Sequence, residues 1–230
     1  MTCYALHLTQ TMNKNEYIIF DARIKCPHVM IIAGPPLSGK STFVYNYILH
    51  ADKLLDTKFE HIVWFYGEKS ETIKRAQKEF DGTVQTVDGL PDDVDKFILD
   101  DTDQLFIFDD LQAEIVSNPQ ITSLFYKKCH HRRVSCILIL QNIFAPGRER
   151  VNMLRCAHYI VIFQSNLDKS QIYSLAHKIL PGQQRLFIKI FEAATSKPNG
   201  YLFIDGYQRT PPEARFRTDL FEGHQKVYII

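Results

Sequence analysis

A glycine-rich stretch near the start of the chain has the residue types needed to hold a polyphosphate. The apolar run Val29–Ala33 leads into a loop that reads Gly34-Pro35-Pro36-Leu37-Ser38-Gly39-Lys40-Ser41, which fits the P-loop pattern G-x-x-x-x-G-K-[ST]. Such a loop curls until its backbone N–H groups point at phosphate oxygens, and a Cβ at the tight positions would block that approach. The sequence therefore predicts a nucleoside triphosphate site in the order strand, loop, helix.

Two residues of this loop have distinct expected roles. Lys40 is expected to reach the β- and γ-phosphates, and the Ser41 hydroxyl to take one position on Mg²⁺. The positive end of the following helix adds to the attraction for an anion. We therefore expect ATP and Mg²⁺ as cofactors, with nucleotide contacts from Gly34, Pro35, Pro36, Leu37, Ser38, Gly39, Lys40, Ser41 and Thr42. A chance match in a turn rich in glycine and proline is the alternative, and the flanking strand and helix patterns argue against it.

A pair of carboxylates at the end of another apolar run is the second candidate group. Leu105–Phe108 is followed by Asp109 and Asp110, as in a Walker B strand, since ligands of open α/β sheets collect at the carboxyl ends of strands. Asp109 is expected to hold Mg²⁺, directly or through water, and Asp110 to act as the general base that polarises the attacking water. An acidic turn after an ordinary strand is the alternative, which the P-loop makes less attractive.

Gln141 directly follows the apolar run 135–140. If that strand lies between the P-loop strand and the Walker B strand, its end faces the γ-phosphate. A neutral amide placed there can bond both the phosphate and the lytic water, which gives Gln141 a catalytic role. A polar cap on the strand explains the residue equally well.

Basic residues concentrate in the middle of the chain. Residues 127–133 read Lys-Lys-Cys-His-His-Arg-Arg, and Arg148, Arg150 and Arg155 follow. Three uses remain open: an arginine finger for the γ-phosphate of a neighbouring subunit, a contact with nucleic-acid phosphates, and a solvated surface. A zinc site at the two histidines is rejected, because adjacent residues cannot share one face of a helix.

The elements that must position these residues alternate along the chain. Apolar runs typical of buried strands occur at 29–33, 61–66, 105–108, 135–140, 159–163 and 201–204, with a shorter candidate strand at 83–87. Helical spacing occurs at 40–55, 71–80, 92–99, 121–130, 148–156, 170–180 and 183–192. This alternation predicts an α/β fold with a mostly parallel sheet and helices on both faces.

Length and composition limit the class of protein. The 230 residues suit a single domain over 1–230, with 1–15 as a candidate flexible arm and 208–230 as a candidate extended C-terminal arm that lacks core patterning. A net charge of +1 excludes a global basic field, so nucleic-acid contact would need a local patch. Five scattered cysteines, no signal-peptide pattern and no run of transmembrane length predict a soluble intracellular protein.

The order and spacing of these motifs resemble a known family. GPPLSGKS, LFIFDDL and LFYKKCHHRRVSCILILQN are together similar to the viral genome-packaging ATPases of the FtsK–HerA superfamily, in the poxvirus-type branch of large DNA viruses and virus-like transposons. The resemblance spans 29–163, and the P-loop is its only motif that is specific by itself. It implies a RecA-like P-loop NTPase fold, an oligomeric ring, ATP hydrolysis between subunits and translocation of double-stranded DNA into a preformed capsid, at a portal-like vertex.

The resemblance has one departure, because relatives commonly carry Asp-Glu where this chain has Asp109-Asp110. The expected base is thereby shortened by one methylene. We predict an ATP-hydrolysing motor that translocates DNA and packages a viral genome, in the host nucleus or cytoplasm or with the virion. A P-loop nucleotide or small-molecule kinase is the alternative, disfavoured by Gln141 and by the lack of an evident lid segment. A P-loop switch or scaffold protein is a third possibility, against which Asp110 argues.

Overall fold

The computed structural model describes residues 21–116, 118–144, 154–223 and 225–230. The expectations for residues 1–15 and for Arg148 and Arg150 lie outside these ranges. Within the described ranges, no helix is both long and apolar enough to cross a membrane.

One sheet organises the described residues. Its strands are β1 Val29–Ala33, β2 His61–Tyr66, β3 Val84–Asp88, β4 Gln104–Asp109, β5 Val134–Leu140, β6 Tyr159–Phe163, β7 Tyr201–Asp205, β8 Phe216–Thr218 and β9 Lys226–Tyr228. Their order in the nine-stranded sheet is β3-β2-β4-β5-β1-β6-β7-β8-β9. The first six strands in this order, from β3 to β6, pair in parallel with their neighbours. The pairings of β6 with β7, of β7 with β8 and of β8 with β9 are antiparallel. The predicted mostly parallel sheet is confirmed.

The central strands are apolar because both of their faces are covered. Every residue of β1, β4, β5 and β6 is buried, as parallel strands under two helical layers require. Alternate residues of β1 enter two separate core clusters, with Ile31 in one and Ile32 in the other. The two layers are thus fixed by the two-residue period of the strand.

The helices lie on both faces of this sheet. They are α1 Lys40–Leu49, α2 Ala51–Leu54, α3 Glu71–Glu79, α4 Gln112–Val116, α5 Pro119–Ser123, α6 Cys129–His131, α7 Ser170–Ile179 and α8 Gln184–Ala194, and residues 154–156 are also helical. Leu124–Lys128 forms a π-helical segment between α5 and α6. Apolar residues of α1 and α3 belong to one core cluster, and those of α5, α7 and α8 belong to the other.

Two predicted helices differ from the structure. The segment 92–99 contains only a 3₁₀ turn, Val94–Phe97, which the Asp93 carboxylate caps by accepting from Asp95 N–H and which ends where Ile98 becomes extended. The predicted helix 40–55 is interrupted at His50, whose backbone (φ −106°, ψ 18°) leaves the helical region. In the segment 92–99, the local bond from the Asp93 side chain to the backbone competes with helix formation.

In the C-terminal segment, β8 and β9 are strands of the sheet and do not form an extended arm. Residues of β8 are buried, and the fully buried Arg217 donates to Asp205 at 2.6 Å and to the Ala22 carbonyl at 2.7 Å. The guanidinium also lies 4.7 Å from the centre of the Phe203 ring. The expectation of an arm over 208–230 missed this strand because its central residue is charged, and burial of such a residue depends on a partner that sequence spacing does not reveal.

Candidate functional site

The candidate residues meet at the carboxyl edge of the parallel strands. Strand β5 lies between β4 and β1, which is the arrangement on which the interpretation of Gln141 depended. The ends of these three strands therefore bring the P-loop, the paired carboxylates and the glutamine to one place. A crevice at this edge is where open α/β sheets bind their ligands.

The P-loop joins β1 to α1 and is tightly folded. Gly39 has φ 98° and Leu37 has φ 61°, so both lie in the left-handed region. An added Cβ at Gly34 would lie 2.7 Å from Phe163 Cβ and 2.9 Å from Ser38 Oγ. Glycine is therefore required at position 34 for the loop to pass this close to β6.

Lys40 points back over its own loop. Its Nζ donates to the carbonyl oxygens of Gly34 at 2.8 Å and Pro35 at 2.7 Å. Burial lowers the pKa of Lys40, while the carboxylates of Asp109 and Asp110 act in the opposite direction. Phosphate oxygens would be stronger partners for this ammonium group than neutral carbonyls, because charge-assisted hydrogen bonds are stronger.

The loop also has an unpaired polar atom. Ser38 Oγ is buried and has no hydrogen-bond partner among the described residues, whereas buried hydroxyls normally have one. With the Lys40 ammonium nearby and the helix N-terminus behind it, the loop has donors available for an anion. These features fit a bound polyphosphate.

Ser41 and Asp109 form the candidate Mg²⁺ site. The Ser41 hydroxyl donates to Asp109 Oδ2 at 3.0 Å, across the gap between α1 and β4. Burial raises the pKa of Asp109, and the hydrogen bond from Ser41 partly offsets that effect. A hydroxyl and a carboxylate are the oxygen ligands that Mg²⁺ prefers, with water completing its shell. The pair fits the expected ion.

Asp110 and Gln141 face one another beside this pair. Gln141 Nε2 donates to Asp110 Oδ1 at 3.4 Å, and the Gln141 N–H donates to Gln112 Oε1 at 3.3 Å. Asp110 has φ 56°, a left-handed conformation uncommon for residues other than glycine. An added Cβ at Gly67 would lie 2.5 Å from the Asp110 carbonyl oxygen, so the end of β2 presses against this turn.

These groups line one cleft of about 370 Å³, within the size range of small-molecule sites. Its lining residues are Pro36, Lys40, Ser41, Glu68, Ser70, Asp109, Asp110, Gln112, Ile139, Leu140 and Gln141. Sequence reasoning missed Glu68, Ser70 and Gln112. Glu68 could have been found, because it follows the buried strand β2 almost directly, as Asp109 ends β4.

Among the basic residues that the structure describes, Arg155 and residues 127–133 lie at the other edge of the sheet. Arg155 is exposed and precedes β6, and the N–H of His158, directly before β6, donates to the Val29 carbonyl at the beginning of β1. Residues 127–133 likewise precede β5. The structure therefore does not bring these groups to the cleft of their own chain.

Three residues of the basic run are paired with carboxylates. Lys128 contacts Asp95, Arg132 contacts Asp100 at 2.6 Å, and Arg133 contacts Asp103. Exposed pairs of this kind contribute little to stability, but they do neutralise much of the positive charge of the run. This favours the solvated surface among the three interpretations of residues 127–133.

Comparison with known proteins finds similarity at the level of structure. No protein-family model matches the chain, and no curated protein matches it in sequence. The genome-packaging NTPase B204 of Sulfolobus turreted icosahedral virus 2, in complex with ATP-gammaS, superposes with a TM-score of 0.52 at 15% identity, over 88% of this chain and 97% of B204. B204, the DNA-packaging ATPase from Sulfolobus turreted icosahedral virus, superposes with a TM-score of 0.51 at 14% identity, over 89% of this chain and 98% of B204. The chain thus has the RecA-like P-loop ATPase fold.

Proposed function

We propose that this chain is an ATPase whose hydrolysis of ATP drives translocation of double-stranded DNA, in the packaging of a viral genome. The observation that carries the proposal is the convergence of Lys40, Asp109 and Gln141 from three elements into one cleft. A phosphate loop, a buried carboxylate and a polar residue on the strand between them are the parts that ATP hydrolysis requires.

The residues of the cleft divide the chemistry between them. Lys40 and the loop N–H groups hold the phosphates, and Ser41 with Asp109 would hold Mg²⁺, which neutralises charge on the transferred phosphoryl group when bound. Asp110 takes the proton of the attacking water, and Gln141 orients that water through its amide. The hydrogen bond between Gln141 and Asp110 keeps these two side chains together before a water molecule enters.

A neighbouring subunit completes the site. Lys40 is the only cationic side chain among the described residues that line the cleft, although an arginine commonly stabilises the transition state of phosphoryl transfer. An arginine supplied in trans within a ring accounts for this, and Arg148, Arg150 and Arg155 are the candidates. A kinase acting alone would instead need such a residue from its own chain.

DNA and a capsid are proposed partners because of the resemblance in motifs and the similarity in fold to B204, a DNA-packaging ATPase. The formal net charge of +1 means that a DNA-binding surface would have to come from a local patch or from assembly. Action in the host nucleus, in the cytoplasm or with the virion follows from the same proposal.

The test is the rate of ATP hydrolysis with and without long double-stranded DNA, together with the mass in solution with Mg²⁺ and ATPγS. We expect double-stranded DNA to stimulate turnover several-fold, single-stranded DNA of equal length to stimulate it less, and the mass to correspond to a ring. The Lys40→Ala variant measures contaminating activity. Turnover by a monomer that is indifferent to DNA would contradict the motor, and absence of turnover under every condition would contradict the ATPase.

A further inference from the structure

A turn between α8 and β7 packs against the phosphate loop. An added Cβ at Gly39 would lie 3.3 Å from Asn199 Cβ, 3.4 Å from Asn199 Cγ and 3.5 Å from Asn199 Oδ1. The Asn199 side chain therefore lies beside Gly39, the residue that immediately precedes Lys40. None of the sequence motifs pointed to this residue.

The residues of this turn favour one backbone conformation. The Gly200 N–H donates to the Lys197 carbonyl at 2.9 Å, and Asn199, with φ 57°, occupies the third position of the turn after Pro198. Proline at the second position and a left-handed residue at the third are typical of a type II turn, in which glycine is the usual third residue and asparagine the main substitute. An added Cβ at Gly200 would lie 2.9 Å from the Ala194 carbonyl oxygen, so the turn is closely held.

Asn199 thus presents a side chain at a place where glycine would form the same turn. The residue is exposed, and its amide has no hydrogen-bond partner among the described residues. An amide has two donors and an acceptor. Its hydrogen-bonding capacity is available beside the phosphate loop.

The sheet order gives the direction in which a nucleotide must lie. Asp109 and Gln141 come from β4 and β5, on one side of β1, whereas β6 and β7 lie on the other side. In the proposed function the γ-phosphate faces these two residues, so the nucleoside must leave the loop toward β6 and β7. Asn199, directly before β7, lies on that side.

We propose that the Asn199 amide hydrogen-bonds the nucleoside portion of the bound nucleotide, at a ribose hydroxyl or a base edge, and favours nucleotide over bare polyphosphate. This inference rests on the proposed ATP site and adds a contact outside the phosphate-binding loop. An amide matches both kinds of nucleoside group because it donates and accepts. The closely held turn lowers the entropic cost of the contact.

The test compares binding of Mg²⁺-ATPγS, Mg²⁺-GTPγS and Mg²⁺-tripolyphosphate to the wild-type chain and to Asn199→Gly by calorimetry. Glycine keeps the left-handed turn and removes the amide. We expect affinity for one or both nucleotides to fall roughly 3- to 10-fold, as loss of a hydrogen bond predicts, while affinity for tripolyphosphate stays unchanged. A loss confined to one nucleotide assigns the contact to the base, and an equal loss for both assigns it to the ribose.

The matched control is Lys197→Ala, which alters the same turn at a side chain that contacts Asp219 and Glu222 and should leave nucleotide affinity unchanged. Equal loss of affinity for nucleotide and tripolyphosphate in Asn199→Gly would show that the residue only positions the loop, and no loss would show that it makes no contact. Either result overturns the inference alone. Failure of the wild-type chain to bind any of the three ligands would instead overturn the proposed ATP site.

Discussion

The polar groups at the two ends of strand β1 differ in how well they are hydrogen-bonded within the chain. At its beginning, the ring of the buried His28 lies with Nδ1 3.0 Å from the Lys25 carbonyl oxygen and Nε2 3.1 Å from Tyr47 Oη. The His28 N–H donates to Ser135 Oγ at 3.3 Å, and the Lys25 N–H donates to Tyr159 Oη at 2.9 Å. Polar groups buried at this end of the strand have partners within the chain.

At its other end, β1 leads into groups whose partners are poor or missing. Among the residues that the structure describes, Ser38 Oγ is buried without a hydrogen-bond partner, and Lys40 Nζ donates only to carbonyls of its own loop. Burial raises the pKa of Asp109, so its ionised form is disfavoured there. Asp110 adopts a left-handed backbone conformation, which carries a cost in free energy.

The buried polar groups with partners within the chain thus lie at the beginning of β1, and those with poor or missing partners lie beside the proposed nucleotide site. Satisfied polar groups hold a fold together, whereas each unsatisfied buried group needs an explanation. For Ser38 the explanation we offer is a ligand that would pair its hydroxyl. Substitutions at the two ends should therefore have opposite effects. Those near Ser38 and Asp110 should impair turnover and leave the fold intact, and those near His28 should do the reverse.

The largest expected effect is on turnover in Asp110→Asn. Asparagine keeps the shape of the side chain but cannot take a proton from water, so the rate of ATP hydrolysis should fall roughly 100-fold or more. Binding of Mg²⁺-ATPγS should remain, because Lys40 and the loop are unaltered. The measurements are steady-state phosphate release and equilibrium nucleotide affinity.

Glu68→Gln is the matched comparison for that variant, because Glu68 is the carboxylate besides the Asp109-Asp110 pair among the described residues that line the cleft. We expect it to retain most of the wild-type turnover. If Glu68→Gln loses hydrolysis while Asp110→Asn keeps it, the general base is Glu68, and the shorter Asp110 does not reach the water.

The next effect is on stability in His28→Gln. The pKa of His28 falls to about 3, chiefly because burial disfavours its charged form. At pH 8 the substitution should lower the free energy of unfolding by about 1 to 3 kcal/mol, since buried polar partners lose their geometry. Turnover per folded molecule should stay unchanged. Denaturant unfolding and phosphate release measure the two quantities.

The same substitution has a defined pH dependence. The unfolded chain protonates His28 at its ordinary pKa of 6.5, whereas the folded chain resists until about 3. The stability that neutral His28 confers is therefore present above pH 6.5 and is lost as the pH falls between these values. The difference in the free energy of unfolding between wild type and His28→Gln should therefore become smaller as the pH falls through this range. A gap that stays constant with pH would mean that His28 acts only by packing.

Local patterns in the sequence predicted the parts of the site that one strand and its following residues specify. The P-loop and Asp109 each follow a buried apolar run, so their position at the carboxyl edge follows from the parallel sheet. Gln141 needed one further condition, the position of β5 between β4 and β1, and the structure meets it.

The parts that could not be predicted depend on contacts between distant segments. Asn199 reaches Gly39 only because β7 pairs with β6, and a turn sequence does not reveal its neighbour. Arg217 is fully buried because Asp205, twelve residues earlier, pairs with it. Charge normally indicates an exposed segment, so spacing alone predicted an arm there.

The smallest expected effect is a gain in stability, at the end of β1 that carries the proposed nucleotide site. Burial raises the pKa of Asp109 above its unfolded value, so its contribution to stability is fully present below the unfolded pKa and is lost as the pH rises through the folded one. Asn in its place cannot ionise. Without nucleotide at pH 7, Asp109→Asn should therefore unfold a few degrees above wild type.

This gain should shrink as the pH falls toward 3.8, the ordinary pKa of the carboxyl, because the raised pKa of the folded Asp109 favours its protonated form there. Thermal unfolding at the two pH values, with and without Mg²⁺-ATPγS, measures it. The ligand should stabilise wild type more than it stabilises Asp109→Asn, because Mg²⁺ would pair with the ionised carboxylate of Asp109 and less favourably with a neutral amide. A variant less stable than wild type at pH 7 would mean that the ionised Asp109 already has sufficient partners, and the contrast between the two ends of β1 would then fail at this residue.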